Sequence, residues 1–256
     1  MTTDGAGVAA GRAPNIFAAV VGYTLRACVP PKRRLGLALP CVGAVLFGLL
    51  ATVVPDQTAA KAFAEVASLG LFGLVIPLGC LIIGDAVLGA EIRAGTFHYT
   101  WLSPVPFPVI AAGRWLGGWI VALVSLVPAS ALAALVAGVG DGLGPVVLAT
   151  AASAAAYVAV FVVVGAAVRR AAVWSLVIVF LVERLLGTAL SGIAQLSPMW
   201  LGRAVYAGLG PEGEVLHRDG VPEGWAGVVR LALITLVAIA IAAWRLRRLR
   251  LAGSAD

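Results

Sequence analysis

A chain of 256 residues that is 61% hydrophobic and 12% charged carries too much apolar surface for a water-soluble fold of its size. Its net charge of +6 does not point to nucleic acid. Cations beside apolar runs act as topology signals, because Lys and Arg collect on the cytoplasmic flank of membrane helices.

Residues 1–15 are small and polar and read as a tail. Between 15 and 29, Ile16, Val20 and Val21 precede Pro30-Pro31, a stretch too short to span a bilayer. An amphipathic helix lying in the cytoplasmic interface is expected there, anchored by Lys32, Arg33 and Arg34. The run 35–54 has twenty residues and no charge. At a rise of roughly 1.5 Å per residue it covers the roughly 30 Å of a hydrocarbon core. It is too long, and starts too far into the chain, for a cleavable leader to be expected.

Further spans are expected at about 66–84, 115–139, 146–168, 171–194 and 225–244, with Pro77 and Pro128 inside the second and third. In the fourth, Ala149, Ser153 and Tyr157 follow at four-residue steps and offer a face for close helix approach. The expected fold class is an all-α polytopic membrane protein of six transmembrane helices. It divides into a tail with interfacial helix (1–34), the membrane bundle (35–244) and a basic tail (245–256).

An even number of crossings leaves both termini on one side. With the termini inside, thirteen of the eighteen cations fall inside, among them Arg12, Arg26, Arg93, Arg114, Arg169, Arg170 and the basic tail. Lys61, Arg203, Arg218 and Arg230 fall outside, and Arg184 lies within a span. Both termini are therefore expected to be cytoplasmic, in a plasma (inner) membrane.

Glu183-Arg184 sits in the fifth span, where two charges cost about 5–7 kcal/mol and the surrounding apolar residues return about 4–7. Such groups should face protein or water. Ser175, Glu183, Gly187, Ser191 and Gln195 recur at steps of four or eight on one helical face. With Arg184 they form a candidate pathway or dimer seam or, equally, a buried clamp. The outer connection 195–224 carries an amphipathic piece through Tyr206 and then Glu212, Glu214, Asp219 and Glu223, which read as a solvated surface. Cys28, Cys41 and Cys80 lack ligand spacing and read as packing residues. No catalytic motif is present, and with Lys32 and Lys61 as the only lysines there is no GxxxxGK[ST] phosphate loop. No cofactor or metal is expected on this chain.

The cytoplasmic connection 85–114 carries more information. A short amphipathic helix is expected from about Asp85, then a break at Gly95, then Phe97, Tyr99 and Trp101 at interfacial depth. Glu91 and Arg93 would project towards the cytosol. The pattern Glu91-x-Arg93-x-Gly95-Thr96, with Leu102-x-x-Val105 around Pro104 and with Arg114 beyond, resembles the segment between spans two and three of ABC-2 type transporter permeases. The six-span layout and the long outer loop before the last span are similar as well. The resemblance implies that Glu91, Arg93, Gly95 and Thr96 form a coupling helix seated on a separate ABC ATPase, which holds the ATP and Mg. It also implies pairing with a second permease copy or a related permease. His98 and Trp101 depart from the family's usual aliphatics, and absence of the importers' Glu-Ala-Ala loop points to export. Two other readings remain open: an ion-driven carrier using Glu183, and a membrane-embedded lipid-modifying enzyme built on Asp85 and Glu91.

Overall fold

The computed structural model describes residues 15–168 and 170–248, without the side chains of 31–34, His98 and Trp101. The expectations for the tail before Asn15, for Arg169, for the Lys32-Arg33-Arg34 anchor and for the chain beyond 248 lie outside the described residues. Among the described residues there are helices and connections and no strand. Six helices are long and apolar enough to cross a bilayer: Leu35–Thr52, Ala59–Arg93, Phe107–Val136, Leu143–Ala167, Ala171–Ala189 and Gly224–Arg248. The chain has the all-α, multi-pass architecture its composition demands.

The N-terminal helix runs Ile16–Cys28, capped by Asn15, whose side-chain oxygen accepts from the Phe17 N–H at 3.2 Å. It rests on the start of span three, with Thr24 and Cys28 buried.

Span two differs most from expectation. It begins at Ala59 rather than 66 and stays helical to Arg93, so the separate short helix expected from Asp85 is the last turns of the span itself. The stop is Gly95, at φ +70°, a left-handed cap that a glycine adopts without strain. At about 50 Å the helix outreaches the roughly 30 Å hydrocarbon layer, so its ends project beyond it.

Three stretches in the spans widen to π-helix: Ser68–Val75, Asp85–Gly89 and Ile178–Leu186. The first has a visible cause. Pro77 has no N–H to offer the Gly73 carbonyl, so the ladder re-registers just before it.

Span three begins at Phe107, eight residues earlier than expected, because Pro108 suits a first helical turn. Its stacked indoles Trp115 and Trp119 donate to the Ala155 and Ala151 carbonyls of span four at 2.9 and 3.0 Å. Only small residues on span four let the rings reach its backbone, and Ala149, Ser153 and Tyr157 are all buried, as their spacing suggested. Spans two and four form the centre. Spans one, five and six turn apolar side chains outward, including Leu39, Leu185 and Leu236, a surface suited to lipid.

The amphipathic piece expected in the outer connection is not part of a loop. Pro198–Leu209 is a helix buried on nearly all sides, packed between spans four and six. Gly202 makes this possible: a Cβ there would collide with the Ser153 hydroxyl of span four. Arg203, expected in an outer loop, is thereby carried inside.

Candidate functional site

Two charged clusters interrupt the apolar bundle. The first joins the ends of spans two and three. Arg114 is 2% exposed and Glu91 has 11% of its side chain exposed. The guanidinium grips the carboxylate with two bonds of 2.6 and 2.7 Å and donates at 3.0 Å to the Val87 carbonyl. The Tyr23 ring of the N-terminal helix covers it, 4.7 Å from ring centre to guanidinium carbon. A bidentate Arg–carboxylate pair has directional N–H forks and fixes both partners.

Beside it Arg93 grips Asp85, also twice, at 2.5 and 2.7 Å. These residues are eight apart. The π turn Asp85–Gly89 lies between them and, with fewer degrees per residue than an α-helix, brings Asp85 closer to the face that carries Arg93.

These pairs change the reading of the expected coupling residues. Glu91 does not project to solvent: it is an internal brace. Arg93 is exposed but tied to Asp85. Gly95 and Thr96 are at the exposed tip, where the Thr96 N–H donates to the Glu91 carbonyl at 3.1 Å. The chain then folds back through the short helix Phe97–Trp101, burying Phe97 and leaving Tyr99 71% exposed. A cavity of about 500 Å³ opens here, lined by Val20, Tyr23, Thr96, Tyr99, Ser103 and Arg114, among others.

The second cluster centres on Glu183, which is buried. Tyr157 of span four and Ser197 donate to its two oxygens at 2.5 and 2.8 Å, and the Met199 backbone N–H is a third donor. Ser197 caps the helix Pro198–Leu209, so the carboxylate stands at the positive end of that helix dipole. The Trp200 indole donates to the Glu183 carbonyl at 3.1 Å. Glu183 therefore clamps spans four and five to the tucked helix.

The expected stripe survives only in part. Ser175, Glu183 and Gly187 are buried, and Gly187 lies against the Trp200 indole nitrogen. The π segment Ile178–Leu186 and an extended backbone at Leu190 then turn the register, leaving Ser191 exposed. Gln195 meets Arg230 of span six at 3.1 Å instead.

Arginines surround this clamp. Arg203 is 8% exposed, yet it makes no hydrogen bond or ion pair with any described residue, and its Nε–H is buried without a partner. Its guanidinium lies on the Trp200 ring at 4.6 Å, and that of Arg218 lies on the same ring at 3.9 Å. Arg184 approaches from span five: a Cβ on Gly73 of span two would sit 3.2 Å from Arg184 Nη2 and 3.4 Å from Arg203 Nη2. Two cations that border the same notch repel, less where Arg184 meets solvent.

Arg203 was legible in principle. Pro198–Leu209 has one charge in twelve residues and apolar residues on every face, the pattern of a buried helix. The Glu91–Arg114 pair spans 23 residues and left no local signal. His217, isolated in sequence, meets Glu223 at 2.7 Å and Asp219 at 3.3 Å. The acidic loop around it groups no three potential metal ligands among the described residues. Compared with known proteins, the chain matches no protein-family model and no curated protein.

Proposed function

We propose that this chain is the membrane-spanning permease subunit of an ATP-binding cassette exporter of the ABC-2 type. It works with a separate ATPase that holds ATP and Mg, and with a second copy or a related permease. Both termini lie in the cytoplasm, where the cationic flanks favour them. The observation that carries the reading is the exposed hairpin of residues 94–103, held rigidly at the end of a helix that crosses the whole bundle.

The Glu91–Arg114 pair ties the end of span two that carries this hairpin to span three, and the Arg93–Asp85 pair braces that end from within, so force applied at Gly95 and Thr96 moves span two as a lever. The cavity between Tyr23 and Tyr99 leaves room for a docking element. Glu91 and Arg93 contribute by bracing this surface, and Gly95, Thr96 and Tyr99 offer contact. Closing and opening of the ATPase pair would rock the spans between inward- and outward-open states.

Co-expression with the ATPase encoded beside this chain tests the proposal. The two should purify together, and Thr96→Arg with Tyr99→Glu should separate them while leaving the permease's thermal midpoint unchanged. Capture of no ATPase by the wild-type chain would refute the reading.

A further inference from the structure

We propose that Arg184, Arg203 and Arg218 form a binding site for an oxyanion of the phosphate type, where span five meets the tucked helix Pro198–Leu209. The charged groups close enough to act on Arg203 are Arg184, Arg218 and Glu183, so three cations face one carboxylate. That carboxylate is already taken by Tyr157, Ser197 and the Met199 N–H and makes no ion pair with any of the three. The imbalance sits among apolar spans, where an unpaired charge is costly and tends to mark function.

The arrangement is built to present N–H groups. Trp200 carries the Arg203 and Arg218 guanidiniums on its ring, and Arg218 is further fixed by donating to the Thr188 carbonyl at 3.0 Å. Arg184 and Arg203 turn their Nη2 atoms to the same point over Gly73, where the missing side chain leaves a notch between them. Arg203 is held nine-tenths buried with an unused Nε–H. Arg184 and Arg218 are only half-buried, which gives a ligand its way in. The Arg184 and Arg203 forks that border this notch, with Arg218 held beside Arg203 on the Trp200 ring, match the oxygens of phosphate better than any cation or neutral sugar. Bound there, an anion would cancel the repulsion and occupy the free donors, so it must stabilise the fold.

The test uses the purified chain in phosphatidylcholine nanodiscs and reads its thermal midpoint. One arm adds inorganic phosphate; the other replaces part of the lipid with phosphatidylglycerol. A rise in the first arm assigns a soluble oxyanion, and a rise in the second alone assigns a lipid headgroup. In either case R203Q and R184Q should weaken the effect about tenfold or more in half-saturating ligand. Gly73→Ala keeps all three charges but fills the notch, and should weaken it too. Should R203Q not fold, the half-exposed Arg184 and the Gly73 variant decide the matter. No rise in either arm, or a rise that R184Q leaves intact, overturns the proposal. The assay contains no ATPase, so its result is independent of whether the hairpin docks one.

Discussion

Span two touches both charged clusters, at Glu91 and at Gly73, about 27 Å apart along one helix. At Glu91 every charge is answered: two arginines grip two carboxylates with two bonds each. Near Gly73, Arg184 and Arg203 meet with no carboxylate between them, Arg218 shares the Trp200 ring with Arg203, and the one carboxylate close to Arg203 is already bonded to Tyr157 and Ser197. Paired arginine is a fastener, whereas arginine left unpaired in a buried place is held ready for something else. The contrast predicts opposite responses to the same type of substitution.

The largest effect belongs to the fastener. Arg114→Met would strand the Glu91 carboxylate in a buried position, at a cost of about 3–5 kcal/mol. Unfolding of the detergent-solubilised protein should show it as a large drop in midpoint, with much of the loss recovered in the Glu91→Gln, Arg114→Met double variant. A single variant as stable as wild type would remove the brace from the lever picture. Next comes the clamp. Tyr157→Phe deletes one of three donors to a buried carboxylate and should cost about 1.5–3 kcal/mol in the same assay. Arg203→Met should cost far less, within about 1 kcal/mol of wild type, because relief from Arg184 and Arg218 offsets lost contact with the Trp200 ring. A loss as deep as that of Arg114→Met would erase the distinction between the two clusters.

How much of this could be read in advance follows from the range of the interactions. The six spans rest on local apolar length, which a sequence displays directly, and so does the small-residue face of span four. The Asn15 cap and the Gly95 stop are equally local. The π turns are not: their register depends on what Pro77 withholds from Gly73 and on which neighbour donates to a freed carbonyl, as Trp200 does to that of Glu183. The stripe from Ser175 to Gln195 assumed an unbroken 3.6-residue period, and the widened turn at Ile178–Leu186 invalidated it beyond Gly187. Glu91 looked like a surface contact because its partner lies on another span. Tertiary pairing across 23 residues overrides what a local motif suggests.

The smallest effect lies outside both clusters and sets their scale. His217 is exposed, and its pKa is raised by Glu223 first and Asp219 second, whose carboxylates favour the imidazolium. A folded pKa above the unfolded value of about 6.5 means that the stabilisation is complete below that pH. It is then lost as pH rises through the higher folded value. Thermal midpoints of the wild type should therefore decline slightly across that window, while His217→Asn should be flat. Added salt should abolish the slope, because exposed charges are screened within roughly 8–10 Å at ordinary ionic strength. The Glu91–Arg114 pair, shielded by Tyr23 and Val87, should not respond to the same salt. A midpoint that followed salt equally in His217→Asn and in wild type would mean that screening reaches the buried pairs, and the fastener would then be no stronger than a surface contact.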